Sequence, residues 1–156
     1  VRASATRVVN SSGLNPHQLK ELLLGILGDK DSPPLVLQIE SFGYRYGLPQ
    51  DADLVFDVRF LPNPYYISEL RPLSGLDLGL QKYVLEQESC QTFIEHLDRM
   101  LGFLLPCFHS EGKSYLTLAI GCTGGRHRSV SLVEEFARRL GSKDMRVRVH
   151  HRDIDK

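Results

Sequence analysis

Apolar residues along the chain switch between a helical and an extended period. After Asn15 and Pro16, leucines and an isoleucine recur at helical spacing, which predicts a helix capped by Asn15 and ended by Gly28. The helical period returns at 78–87, 90–105 and 129–140. Four short runs of aliphatic, aromatic and β-branched residues predict strands at 35–39, 54–60, 114–120 and 145–151. Because strands alternate with helices, the pattern predicts an α/β fold with a mainly parallel sheet and flanking helices.

Three segments add detail to this pattern. Residues 61–77 contain three prolines and show no period, and irregular loops of this length are usually functional or disordered. Pro106 is expected to end the helix predicted at 90–105. The run at 114–120 is almost continuously apolar, which is typical of a strand covered on both faces.

Composition places the chain among ordinary globular proteins. It has 156 residues, 42% of them hydrophobic and 24% charged, which suits one domain with a core of its own. The longest nearly uncharged apolar stretch, Met100 to Phe108, is too short to cross a membrane, and the first ten residues contain no apolar signal segment. We therefore expect a cytoplasmic protein with no membrane partner. The valine at position 1 suggests a fragment of a longer protein.

Charge is balanced overall but is unevenly distributed. Lys and Arg number 19, as do Asp and Glu, which argues against a uniformly basic nucleic-acid binder. Residues 126–156 nevertheless carry nine basic and five acidic side chains, so they form a candidate anion-facing region. A solvated helix face is the alternative. Cys90, Cys107 and Cys122 lack metal-ligand spacing and are odd in number, which predicts neither a zinc site nor a disulfide framework.

The segment most informative about chemistry is GCTGGRHRS at 121–129, between a predicted buried strand and an amphipathic helix. Ligands of open α/β sheets bind beyond the carboxyl ends of the strands. Glycines there let backbone amides turn inward, and the next helix directs its positive end at the same place. The guanidinium of Arg128 can donate two parallel hydrogen bonds to a phosphate there. The segment therefore predicts a phosphate cradle, with a tight strand-to-helix turn as the alternative.

The same segment also has the spacing of a cysteine-dependent phosphatase. Cys122 and Arg128 follow the C-x5-R pattern, in which a thiolate attacks phosphorus and the arginine holds the equatorial oxygens. Gly121 stands where most such enzymes have a histidine. No general acid is assigned from the sequence, although Asp57 and Asp77 are candidates.

Gly112-Lys113-Ser114 matches the last three residues of a nucleotide-binding P-loop motif. The leading glycine of that motif would fall at Cys107, and the triplet precedes a predicted strand instead of following one. We therefore predict no nucleotide site and no cofactor in this chain.

Polar residues follow the second predicted strand. Asp57 and Arg59 share strand parity, and Asn63 lies just beyond them. Charges of both signs at one end of a sheet suit a polar, hydroxylated ligand. A local ion pair is the alternative.

Four long blocks carry a family resemblance: DADLVFDVRFLPNPYY at 51–66, LRPLSGLD at 70–77, SYLTLAIGCTGGRHRSV at 114–130 and VRVHHRD at 147–153. They resemble the C-terminal domain of the RapZ family of RNase adapter proteins and its YvcJ-like relatives, and the similarity runs from about Val8 to Asp153. The resemblance implies a fold like a phosphofructokinase subdomain. It also implies a two-domain bacterial protein whose N-terminal P-loop module, which binds ATP or GTP, is absent from residues 1–156.

The resemblance further implies a non-catalytic binding and sensor domain. Its ligand would be glucosamine-6-phosphate or a similar phosphorylated amino sugar. Its partners would be a small regulatory RNA, RNase E and further copies of itself in a dimer or tetramer. Two alternatives stay open: the cysteine-dependent phosphatase described above, and an oligomerisation domain that regulates the missing module.

By motif match, the resemblance assigns nine residues to the ligand. The pocket residues are Ser114, Cys122, Thr123, Gly124, Gly125 and Arg128, and the neighbouring polar loop contributes Asp57, Arg59 and Asn63. The family's loop reads LPNPH, whereas this chain has Tyr65 in the histidine position.

A basic C-terminal face is predicted for RNA. It combines Arg126 with Lys143, Arg146, Arg148 and Arg152. The last three share strand parity, so Val147 and Val149 are expected to turn inward. If Arg128 turns towards a phosphate, Arg126 is expected to face outwards to this basic surface.

Overall fold

The protein is described by a computed structural model for residues 8–27, 35–141 and 146–156. Its contacts divide the chain into two compact units, Val1–Pro33 and Pro34–Lys156. In the first unit, helix α1 runs from Pro16 to Leu27, as predicted. A reciprocal cap starts it: Asn15 Oδ1 accepts the Gln18 N–H at 2.9 Å, and Gln18 Oε1 accepts the Asn15 N–H at 3.0 Å.

The second unit is an α/β structure. Its elements, in chain order, are β1 (Val36–Gly43), β2 (Leu54–Asp57), α2 (Leu78–Leu85), α3 (Glu88–Ser110), β3 (Tyr115–Cys122), α4 (Arg128–Gly141) and β4 (Arg146–His151). The described strands form one sheet in the order β2-β3-β1-β4, and each neighbouring pair is parallel. The predicted α/β class is therefore confirmed.

Two strands end at different residues from those predicted. Strand β1 continues to Gly43 because its polar residues find partners: Ser41 Oγ contacts His151 Nδ1 at 2.9 Å, on the neighbouring strand. Strand β2 ends at Asp57 instead of residue 60. There the Arg59 N–H donates to Asp57 Oδ1 at 2.9 Å, which turns the backbone away from the sheet.

Helix α3 continues through Pro106 to Ser110, so the prediction that Pro106 ends it is wrong. A proline in a helix leaves the carbonyl four residues earlier without its donor. That residue is Gly102, and both it and Pro106 are exposed, so water can satisfy the carbonyl. The opposite face of the helix is buried and packs into the core through Cys90, Ile94, Leu97, Leu101 and Leu105.

The core lies between the sheet and its helices. Helix α4 packs against β1, β3 and β4, and α2 packs against α4 and α3. From Leu118 to Cys122, strand β3 is buried at every position, as its apolar run predicts. None of the helices in the described ranges is long and apolar enough to cross a membrane.

The register brings three strand ends to one edge of the sheet. Cys122 at the end of β3 pairs with Gly43 of β1, and Gly121 pairs with Asp57 of β2. The loop from Thr123 to His127 leaves this edge and leads directly into α4. The glycine-rich segment therefore lies beyond the carboxyl ends of the strands, where open α/β sheets bind ligands.

Candidate anion-binding site

A cavity of about 350 Å³ opens at this edge of the sheet. Its lining is made of Arg45, Tyr46, Asn63, Tyr65, Tyr66, Cys122, Thr123, Gly124, Arg126, His127, Arg128 and Lys156. Basic and aromatic side chains dominate this lining, and none of its described residues has a carboxylate side chain. A cavity of this size accommodates a small organic ligand, and its charge favours an anionic one.

Arg128 is the most buried cation of the cavity, at 4% exposure. Its Nη1 donates to the carbonyls of Arg59 and Leu61 at 3.0 and 2.9 Å, and Nη2 donates to Thr123 Oγ1 at 3.1 Å. Its buried Nε has no hydrogen-bond partner among the described residues. All these hydrogen-bond acceptors are neutral. The nearby carboxylate of Asp57 attracts the guanidinium electrostatically, but Asp57 is itself paired with Arg59. Burying a charge without an ion-pair partner of its own is costly, and an anion in the cavity would reduce that cost.

Close backbone contacts shape the glycine loop. Gly125 has φ +77°, and a Cβ on it would lie 2.7 Å from the Gly43 nitrogen and 2.9 Å from Asp153 Cβ. A Cβ on Gly43 would lie 2.6 Å from the carbonyl carbon of Gly124. Gly43 and Gly125 are thus required for close packing, whereas a Cβ on Gly124 would meet nothing within 4 Å.

Arg126 does not face outwards, contrary to the prediction. Its guanidinium donates to the carbonyls of Pro72 and Leu73 at 3.2 Å each and of Ile154 at 2.8 Å. It therefore joins the glycine loop to the 61–77 segment and to the C-terminal segment. These carbonyls lie outside the described strands, and a guanidinium supplies several donors to them at once.

His127 strengthens the same junction. Its Nε2 donates to the Leu73 carbonyl at 2.9 Å, because a carbonyl can only accept. Burial lowers the pKa of His127, and the charges of Arg126 and Arg128 lower it further, so the imidazole is neutral at neutral pH. The Gly75 N–H also donates to the Arg126 carbonyl at 2.8 Å. The irregular segment 61–77 therefore supports the start of α4, a role its lack of period does not reveal.

Cys122 is buried and belongs to the cavity lining. Its Sγ accepts the Gly125 N–H at 3.3 Å and lies 3.2 Å from Ser129 Oγ. Neither general-acid candidate lines the cavity. Asp57 pairs with Arg59, and Asp77 accepts hydrogen bonds from the N–H and hydroxyl of Ser74. The cysteine therefore has hydrogen-bond donors but no carboxylate beside it in the cavity.

The predicted polar loop divides into two parts. Asp57 and Arg59 form a local ion pair, with Arg59 Nη2 2.6 Å from Asp57 Oδ2. The Arg59 guanidinium also lies 3.9 Å from the centroid of the Tyr44 ring. Hydrogen bonds from Arg59 hold the pKa of Asp57 below its usual value. Only Asn63 reaches the cavity lining, where its Oδ1 accepts the Tyr65 N–H at 3.3 Å.

Ser114 does not join the other pocket residues. It precedes β3, whereas Cys122 ends that strand. Because a strand rises about 3.3 Å per residue, Ser114 lies about 26 Å away. The match of a continuous sequence block does not distinguish one end of a strand from the other.

Only some residues of the predicted basic C-terminal face lie exposed on one surface. Arg146 and Arg148 are exposed on β4, and no described residue forms an ion pair or hydrogen bond with either side chain. Val149 is 41% exposed instead of turned inward, since β4 is an edge strand. Arg152 turns to Asp153, with Nη2 2.7 Å from Oδ2, and also donates to the Gly47 carbonyl. Lys143 lies outside the described residues.

Asp153 connects the C-terminal segment to the glycine loop, a role the sequence analysis missed. Its carboxylate is fully buried and accepts the Gly43 N–H at 2.8 Å, the Arg152 guanidinium and Lys156 Nζ at 2.6 Å. Burial alone would raise the pKa of Asp153, but hydrogen bonds from these donors outweigh it and lower the pKa to about 2. Neighbouring acidic and basic residues near the C-terminus are the only sequence signal of this pairing.

Four further lining residues also escaped sequence reasoning. Arg45 and Tyr46 follow β1 in the Gly/Tyr-rich loop, and the Arg45 N–H donates to the Thr123 carbonyl at 3.2 Å. Tyr66 follows Tyr65 in a short 3-10 turn, Pro64–Tyr66. Lys156 lies 5.1 Å from the centroid of the Tyr46 ring. The tyrosines and glycines of the Gly/Tyr-rich loop are the sequence signal that could have indicated residues lining a ligand-binding cavity.

Comparison with known proteins places the chain in a family. The sequence profile described as the RapZ C-terminal domain matches residues 35–155. A protein of Geobacter metallireducens named nucleotide-binding protein is 50% identical over the whole chain, which covers 55% of that relative. Proteins so named from Geobacter sp. (strain M21) and Syntrophotalea carbinolica are 48% identical, over 100% and 97% of this chain and 55% and 53% of those relatives. The chain thus spans about half the length of these relatives. It belongs to the RapZ C-terminal domain family.

Proposed function

We propose that this domain is a non-catalytic binding and sensor module for a phosphorylated amino sugar, with glucosamine-6-phosphate as the first ligand to test. The observation that carries the proposal is Arg128, a buried guanidinium whose hydrogen-bond acceptors are all neutral, in a cavity whose described lining has no carboxylate side chain. A phosphate beside it would offset its charge. The adjacent start of α4 favours an anion at the same place.

The remainder of the lining suits a hydroxylated ring. Asn63 uses its carbonyl oxygen on the Tyr65 N–H, so its amide nitrogen is free to donate to a hydroxyl oxygen. The tyrosine hydroxyls offer donors and acceptors, and the tyrosine rings offer apolar faces. The chain belongs to the RapZ C-terminal domain family, and its resemblance to RapZ proteins implies the same ligand class.

The substitution Arg128→Ala tests the anion site. It is expected to weaken glucosamine-6-phosphate binding by about 1.5–3 kcal/mol, the usual size of a hydrogen bond to a charged group. Isothermal titration calorimetry at fixed salt measures this change. Because Arg128 is buried and holds two loop carbonyls, stability should fall as well, so the folded fraction is checked by circular dichroism. The control Arg99→Ala removes an exposed arginine of α3. Equal affinity for Arg128→Ala and the parent would refute the proposed site.

A cysteine-dependent phosphatase is the second candidate. The observation in its favour is that Cys122 Sγ lies near two groups that would stabilise a thiolate, the Gly125 N–H and Ser129 Oγ. Against it, the cavity lining contains no carboxylate to protonate a leaving group. Cys122→Ser should abolish turnover by a phosphatase but leave most of the phosphate affinity of a binding module. Phosphate release by the parent that disappears in this variant would favour the phosphatase.

The third candidate is an oligomerisation domain that regulates an attached P-loop module. Since the chain spans about half of relatives named nucleotide-binding protein, we propose that ATP or GTP binds in the other half of such proteins. This chain alone should then hydrolyse neither nucleotide. A dimer or tetramer without affinity for any sugar phosphate would favour this third role.

A small RNA is the proposed macromolecular partner, with RNase E as the enzyme that receives it. Arg146 and Arg148 alternate along an edge strand, which directs both to one face, and both are exposed. Reversal of both charges to Glu should lower RNA affinity and reduce the slope of log K against log salt by about 0.7–0.9 for each lost phosphate contact. The control is Arg99→Glu on α3. Unchanged affinity and slope would eliminate this surface.

A further inference from the structure

We infer that Tyr65, held in place by Arg71, determines ligand specificity by selecting a phosphate carried on a ring with an apolar face. The inference rests on the proposed function, because it assigns the part of the cavity that the phosphate does not use. Tyr65 lines the cavity from the Pro64–Tyr66 turn, whereas the phosphate is expected at the start of α4. Arg71 is not part of the lining and acts through Tyr65 as a positioning residue.

The Tyr65 backbone is fixed at both ends. Its N–H donates to Asn63 Oδ1 at 3.3 Å, and its carbonyl accepts Arg71 Nε at 2.9 Å. The Ile67 N–H closes the turn on the Pro64 carbonyl at 3.0 Å. A side chain that starts from so restrained a backbone loses less conformational freedom when a ligand binds.

The Tyr65 ring is held as well. The Arg71 guanidinium lies 4.8 Å from the ring centroid, and the Tyr66 ring meets it edge-on, with centroids 6.1 Å apart and planes at 81°. One arginine therefore fixes both the backbone carbonyl and the ring. Tyr65 as a whole nevertheless remains 52% exposed, so the position of its ring is not explained by burial in the core.

The fixed, half-exposed ring of Tyr65 is suited to contact a ligand in the cavity. The cavity is larger than a phosphate group requires, and its other walls are rich in hydrogen-bond donors. The electron-rich face of a tyrosine attracts C–H groups, such as those on the apolar face of a sugar ring. Inorganic phosphate has no such face and would contact only the cradle. The structure thus separates phosphate recognition by Arg128 from ring recognition by Tyr65.

The test compares two probes on the full chain, glucosamine-6-phosphate and inorganic phosphate, by calorimetry at fixed salt. Tyr65→Ala should weaken the sugar phosphate about five- to tenfold and change the affinity for inorganic phosphate less than twofold. Arg71→Ala should act in the same direction, about threefold. Tyr65→Phe keeps the aromatic face and should retain most of the affinity. Tyr115→Ala, an exposed tyrosine at the start of β3, is the matched control.

The outcomes distinguish a failure of the role proposed for Tyr65 from a failure of the proposed anion site. Equal losses for both probes, or no loss for the sugar phosphate, would overturn the role of Tyr65 while the anion site stands. A parent protein that binds inorganic phosphate as tightly as glucosamine-6-phosphate would overturn it too. A parent that binds neither probe would remove the proposed function and, with it, this inference. Retained selectivity in Arg71→Ala would leave Tyr65 without its positioning residue and refute that half of the proposal.

Discussion

Replacement of Asp153 by alanine is expected to lower the free energy of unfolding by about 3–5 kcal/mol, as when one partner of a buried ion pair is removed. The carboxylate accepts hydrogen bonds from the Gly43 N–H, Arg152 and Lys156. Without it, a buried N–H and a largely buried guanidinium would lose their acceptor. Urea denaturation measures the change. Asp155→Ala is the matched control, since Asp155 is exposed two positions further on. A loss below about 1 kcal/mol for Asp153→Ala would contradict this role.

The same carboxylate gives stability a definite pH dependence. Asp153 has a pKa of about 2 in the folded protein, below its ordinary value of 3.8. Because the unfolded chain then binds the proton more readily, the contribution of Asp153 is complete above pH 3.8 and is lost as pH falls towards 2. Asp153→Asn should therefore remove part of the acid sensitivity between those values. Identical slopes for parent and variant in that window would contradict the assignment.

The substitution Gly125→Ala is expected to destabilise the protein by about 2–4 kcal/mol and to abolish ligand binding. Its backbone has φ +77°, which costs an alanine about 1 kcal/mol or more, and the new Cβ would press on the Gly43 nitrogen and on Asp153. Thermal denaturation and calorimetry measure the two effects. The neighbouring Gly124→Ala is the control for stability, because its Cβ would meet no atom within 4 Å. Similar melting temperatures for Gly125→Ala and the parent would contradict the packing described here.

Elements with strong local signals were predicted well. The first helix has its Asn cap and its final residue where the leucine spacing and Gly28 place them. The glycine-rich segment lies between β3 and α4 because strand, turn and helix each have their own local pattern. Pro106 shows the limit of such signals, since tertiary packing of the buried face of α3 overrides a local helix breaker on its exposed face.

Side-chain partners were predicted less well, because they depend on segments far apart in the sequence. Arg126 and Arg128 are two positions apart and both turn to backbone carbonyls, but Arg126 binds those of Pro72, Leu73 and Ile154, whereas Arg128 binds those of Arg59 and Leu61. No local pattern distinguishes an arginine that binds carbonyls from one that faces a ligand. Asp153 illustrates the same limit, because its partner Gly43 can be identified only from the pairing of β1 with β4.

The contact between Gly43 and Asp153 spans 110 positions of the chain, as does the one between Ser41 and His151. Contacts of such sequence separation form slowly, because a long loop must close before they can stabilise anything. Before β4 pairs with β1, the cavity lacks the part of its lining that Lys156 contributes. A ligand that requires the complete cavity therefore binds only chains that have closed this loop, and its binding draws the folding equilibrium towards them.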